Sequence, residues 1–317
     1  MPRRSPRAWL RALLTLDAPL TVVSLLMAAL LPLALVGLLV DDRLVAGAPA
    51  WLKPAKFAAS TAVYGLTLAW ILGRMHAWPA LRTVASRTTA AVFVVEVAII
   101  GLQAWRGVPS HFNVGTPVDA LLFSIMGAAI GLQTLVALAV TVALFRERFT
   151  DRAMGTALRA AMLLSILGAS VGGLMTTPSR AQVADALETG YMSVAGSHTV
   201  GAPDGGPGLP GIGWSREHGD LRVPHFVGLH AMQVLPLLAY ALRRHARAAW
   251  LARVCAGSYA GLFGLLLVQA LGGEPLLAPG PLTGPLLIAW AALTVLATSL
   301  AARTSRVPLQ TSRVAEA

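Results

Sequence analysis

Cysteine is nearly missing from the 317-residue sequence: Cys255 stands alone, inside an apolar run. An intrachain disulfide is therefore excluded, as is any cysteine-based zinc or redox motif, and the thiol is expected to serve helix packing. Charge is scarce as well. Asp, Glu, Lys and Arg make up 12% of the residues against 56% hydrophobic, too little polar surface to cover a soluble body of this length. Acids are the rarer sign, 14 against 25 Lys and Arg, for a net charge of +11. A basic balance also suits nucleic acid, but here the basic residues come in short clusters between apolar runs, with no basic face interleaved with aromatics. No nucleic acid partner is expected, and the positive-inside bias of a membrane protein accounts for the charge. No G-K-[ST] follows the glycines of 201–213, which excludes a nucleotide loop.

Apolar runs of spanning length are abundant. Segments near 19–40, 56–73, 88–105, 118–145, 157–177, 224–242, 251–272 and 284–302 each approach the roughly 20 residues that a bilayer requires. The expected fold is an all-α polytopic membrane protein with about eight transmembrane helices. The first run is too long for a signal-peptide core and is read as an uncleaved span. Eighteen of the 25 Lys and Arg fall in the termini and in the loops after even-numbered spans, whereas acids such as Asp41, Asp119, Asp204 and Asp220 fall in the other loops. Both termini are thus expected on the cytoplasmic side of a bacterial-type inner membrane.

This divides the chain into a cytoplasmic amphipathic lead-in (1–18), helices 1–5 (19–177), an extracytoplasmic cap loop rich in Gly and Pro (178–223), helices 6–8 (224–302) and a cytoplasmic tail (303–317). Leu52-Lys53-Pro54-Ala55-Lys56-Phe57, opening the second span, is echoed by Leu221-Arg222-Val223-Pro224-His225-Phe226, opening the sixth. The echo fits two parallel four-helix halves, in which Lys56 matches His225. Glycine pairs at four-residue spacing, Gly127 and Gly131, Gly168 and Gly172, Gly257 and Gly261, suit close helix approach, within the chain or in an oligomer.

Five of the seven histidines, His111, His198, His218, His225 and His230, fall at or just inside the outer face. His230 lies about two turns into a span, where an imidazole needs a partner, and Gln233 is placed on its face. His225 lies about 140° around the helix from His230, so the two do not form a helix-borne metal clamp. Glu96 is the lone acid within a span, roughly 13 Å in from Trp105, with Gln103 along the same face; intramembrane acids mark proton or ion pathways. Lys53, Lys56 and Arg222 are cations on the acid-rich side, suited to a propionate, carboxylate or lipid phosphate.

Three readings follow. One is a quinone-linked redox protein that holds haem b or a transition metal, with His111, His198, His218, His225 and His230 as candidate ligands and Lys56 and Arg222 beside the cofactor. This resembles the general plan of small membrane cytochromes b, although only His230 lies well inside a span. A second is a proton-coupled small-solute transporter using Glu96, with His230, Gln103, Gln233 and Lys53 lining its cavity. A third is an intramembrane enzyme acting on a lipid or quinone headgroup, with Glu96 and His230 as acid and base.

Overall fold

A computed structural model describes residues 5–303. The helices are α1 (Pro6–Leu16), α2 (Ala18–Val40), α3 (Leu52–Leu72), α4 (Pro79–Arg106), α5 (Pro117–Arg146), α6 (Arg152–Met175), α7 (Arg180–Thr189), α8 (Arg222–Leu242), α9 (Ala248–Leu271) and α10 (Thr283–Arg303). Eight of them, all but α1 and α7, are long and apolar enough to cross a membrane. The chain is an all-α polytopic membrane protein by architecture, as its apolar runs predict. Beyond Arg303, the tail expected to be cytoplasmic lies outside the described residues.

Local chemistry sets the helix starts. Asp17 caps α2 by accepting from the Leu20 amide at 3.0 Å, and Asp151 caps α6 through Met154 at 3.0 Å; each satisfies an amide that has no partner inside its helix. Thr116 caps α5 through Asp119. Helices α3 and α8 have no side-chain cap and carry a proline at their third residue, Pro54 and Pro224, where the missing N–H costs nothing. α4 begins nine residues before the apolar run near 88, because Arg82, Ser86 and Arg87 belong to turns that a hydropathy reading leaves out.

The helix contacts repeat. In the first half α2 packs on α3 and α4, α3 on α4, and α4 on α5; in the second α6 packs on α8 and α9, α8 on α9, and α9 on α10. The halves join where α3 meets α8 and α5 meets α6. Aligning the two helix starts on Pro54 and Pro224 pairs Ala55 with His225, one residue from the pairing read off the flanking Leu and Phe. Helices α6 and α8 meet backbone to backbone, where a Cβ added to Gly228 would lie 2.5 Å from the Gly168 Cα. Gly172 faces the His225 ring and Gly261 faces Trp290, whereas Gly127, Gly131 and Gly257 have open space around them. Of the three glycine pairs, only Gly168 and Gly172 line a close helix–helix approach within the chain.

Between α6 and α8 runs the cap, which holds α7 and a two-residue ladder pairing β3 (Thr199–Val200) with β4 (Gly219–Asp220). A second ladder, β1 (Leu44–Val45) with β2 (Ala48–Pro49), forms the hairpin between α2 and α3. α7 lies in a segment read only as loop, although Ser179 and Gln182 form a capping box, a signal legible in S-x-x-Q. The cap is pinned to both halves: the Lys56 ammonium donates to the Ile212 carbonyl at 3.0 Å, and the Arg222 guanidinium to the Gly213 carbonyl at 2.7 Å.

Candidate functional site

Beneath the cap, the starts of α3 and α8 and the loop between α4 and α5 bring together Lys53, His111, His198 and His225, with Glu96 below them. Lys53 lies within electrostatic reach of Glu96, Asp204, Lys56 and Arg222, yet forms no ion pair among the described residues. His111 lies within reach of Lys53, His198 and His225. The imidazoles sit among aromatic rings: His111 is 5.8 Å from Phe57, 6.1 Å from Phe112 and 6.4 Å from Phe123, and Phe112 is 4.8 Å from His198, centroid to centroid. Phe112 has φ of +63°, a left-handed conformation uncommon for a bulky residue. Its backbone is held by Ala195, whose amide donates to the Phe112 carbonyl at 2.8 Å, so the tight turn places both His111 and the Phe112 ring.

All three imidazoles under the cap have Nδ1 engaged. His225 Nδ1 is 2.7 Å from the Gly168 carbonyl, His198 Nδ1 is 2.6 Å from Asp204 Oδ2, and His111 Nδ1 is 3.1 Å from Ser110 Oγ. The carbonyl can only accept, so His225 carries a proton on Nδ1 and, when neutral, presents a bare Nε2. Asp204 also accepts from the backbone amides of His198 and Thr199 and from the Ser197 hydroxyl. Burial alone raises the Asp204 carboxyl, but its hydrogen bonds from His198 and Ser197 outweigh burial and hold it well below the usual carboxylate range.

Burial lowers the His198 imidazole, against the opposing pull of Asp204. Burial drives His111 well below its usual 6.5, and Lys53, His198 and His225 push in the same direction. A detached cap frees His111 to take a proton near 6.5, whereas the closed cap keeps it neutral. The open form therefore binds more protons below about 6.5, and closure weakens as pH falls through that window and is unaffected by His111 above it. Trypsin cleavage at the exposed Arg216 is expected to quicken between pH 7 and pH 5 once corrected for the protease's own profile, and His111→Phe to flatten that dependence. A wild-type rate that stays level across the window contradicts this account of the cap.

Glu96 is 2% exposed, and neither carboxylate oxygen has a hydrogen-bond partner among the described residues. Such a group is costly when ionised unless a cation lies near, and Lys53 is the charge within reach. The remaining residues expected at the site divide. Gln103 donates to Asp119 at 2.8 Å, in a cluster with Arg106 and Thr116 at the cap end of α4 and α5. Gln233 donates to the Thr67 hydroxyl at 3.0 Å, bridging α8 to α3. His218 donates its amide to Ser215 within the cap. Lys56 and Arg222 are occupied as cap anchors.

His230 does not join Glu96. Its ring stacks on Phe226 at 3.8 Å and its Nδ1 is 2.9 Å from the carbonyl of that residue. The spacing explains this: His225 occupies the face toward α6, which turns His230, five residues on, to another side. Among the described residues, no three of His, Cys, Asp and Glu converge in a way that could hold a metal ion.

The sequence reading caught only Glu96 and Gln103 of a longer buried polar row on α4. Ser86, Thr89, Glu96 and Gln103, at spacings of 3, 7 and 7, share one face, each less than 5% exposed. Ser86 donates to Asp17 at 2.6 Å and Thr89 to Gln133 at 2.8 Å. The spacing is a legible signal; the partners on α2 and α5 are not. No family model, curated protein or solved structure matches the chain.

Proposed function

We propose that the chain is a proton-coupled small-solute carrier of a bacterial-type cytoplasmic membrane, with the cap outside, both termini inside and Glu96 as the protonatable group. The observation that carries this reading is a buried carboxylate with no partner among the described residues, beside the cation Lys53, which forms no ion pair among them, in a bundle whose two halves repeat one packing plan. Repeated halves with a site where they meet suit alternating access, and an intramembrane acid suits proton coupling. The solute is a small organic anion. Lys53 supplies a positive charge, the starts of α3 and α8 add the positive ends of two helix dipoles, and Phe57, Phe112 and Phe123 supply apolar contact. One proton enters with each monoanion, so that pair crosses without net charge, and a dianion such as succinate carries one negative charge across with it.

Purified protein in vesicles loaded with a pH-sensitive dye tests this with lactate, succinate and benzoate as probes. An inward gradient of at least one probe is expected to acidify the lumen faster than in protein-free vesicles. Lumenal pH identical to protein-free vesicles for all three overturns the reading.

A second reading draws on the three imidazoles under the cap, whose engaged Nδ1 leaves Nε2 for a haem b and fixes the ring as outer-shell partners do. Two of His111, His198 and His225 would hold the group, which would supply one-electron chemistry toward a quinone. A Soret band that shifts on dithionite reduction, lost in His225→Ala and kept in His245→Ala, supports that reading; a featureless spectrum with no bound metal ends it.

A further inference from the structure

The polar row on α4 is interrupted twice, by Ile100 between Gln103 and Glu96 and, on the way to the far end of the bundle, by Phe93. Between Thr89 and Glu96, seven residues and roughly 10.5 Å apart along the helix, the same face carries Phe93, which is 6% exposed and meets the Tyr64 ring of α3 edge-on at 5.4 Å. Polar groups with no hydrogen-bond partner among the described residues flank this aromatic pair: on the cap side both oxygens of Glu96, on the other the Gln133 Nε2. Beyond it the row continues from Thr89 and Gln133, faced by the Tyr64 hydroxyl, to Ser86 and the half-buried Asp17 at the opposite end of the bundle.

We infer that Phe93 and Tyr64 form a gate in a proton path running from Glu96 to Asp17, an inference that rests on the carrier reading and adds the route by which the proton leaves. With the rings in contact, Glu96 communicates with the cap side alone. When Phe93 swings off Tyr64, water reaches the carboxyl group and takes its proton toward Thr89, Gln133 and Asp17, leaving the carboxylate beside Lys53. Nothing is oxidised or reduced; one O–H bond breaks at Glu96 and one forms on water. The Gln133 amide, whose Nε2 has no partner among the described residues, and the spare lone pairs of the Ser86 and Thr89 hydroxyls hold that water in line. The apolar barrier prevents a standing leak, which a continuous polar row from Gln103 to Asp17 does not.

The test needs no solute. Vesicles carrying the protein and a lumenal pH dye are given a step in external pH with valinomycin and potassium to clamp the potential. Wild type is expected to hold the gradient. Phe93→Ala is expected to dissipate it about tenfold faster or more, Phe93→Leu to hold it, and Phe93→Ala with Glu96→Gln to hold it again, because the path passes through Glu96. Phe93→Val carries the same expectation as Phe93→Ala should the larger truncation fail to fold. Truncated variants as tight as wild type overturn the gate, and a double variant that leaks as fast as Phe93→Ala marks a plain packing hole and overturns the path. Either result leaves the solute experiment readable in its own right.

Discussion

Glu96→Gln is expected to reach the membrane folded and to move no protons with solute. Because neither carboxylate oxygen has a hydrogen-bond partner among the described residues, the amide gives up no bond to them on replacing the acid, and the change in stability is expected to stay within about 1 kcal/mol. What is lost is the capacity to take and give a proton. Solute-driven acidification should fall to the protein-free baseline, while the shorter acid in Glu96→Asp should keep part of it. Lys53→Met removes the cation within reach of the carboxylate and should slow the cycle without abolishing it, since the carboxyl group remains. Full-rate acidification by Glu96→Gln removes the protonatable group from the mechanism.

Gly228→Leu is expected to lose the fold. A Cβ at this position would lie 2.5 Å from the Gly168 Cα and 3.0 Å from the Leu164 carbonyl oxygen, so the obstruction is backbone, which cannot rotate away as a side chain does. Accommodating it pushes α8 off α6, and with α8 go the His225 bond to Gly168 and the start of the second half. Overpacking of this kind costs about 3 kcal/mol or more, and the yield of monodisperse protein in detergent should collapse. Gly127→Ala and Gly173→Ala, which meet nothing within 4 Å, should be silent by the same measure. Equal yields across the three variants contradict the packing described.

These contrasts show how far the residues speak for themselves. Spans were legible because twenty apolar residues in a row have few alternatives, and the cap because its prolines and glycines cannot continue a helix. The cluster under the cap was legible in part. His111, His198, His225, Lys53 and Glu96 stand out by type and level, and five of the histidines fall in segments on one side. Which histidine turns inward was not legible: His225 and His230 differ by five residues, and only the packing of α8 on Gly168 decides between them. Asp204 was visible as an acid but not as the partner of His198, because a loop's fold is set by its turns. The polar row on α4 needed no structure to be found, only attention to a 3-7-7 spacing, whereas Gln133 and Tyr64 opposite it depend on how separate helices meet.

The two cap anchors lie on adjacent residues but belong to different halves: Lys56 of α3 holds Ile212, and Arg222 of α8 holds Gly213. Two consecutive peptide units therefore bridge the seam of the bundle like a staple. If the halves rock apart at that end, the strain concentrates there first, and one anchor must let go before the other can follow its helix. The strength of two hydrogen bonds thus sets a floor under the force needed to open the cap side, and Lys56→Met should lower it.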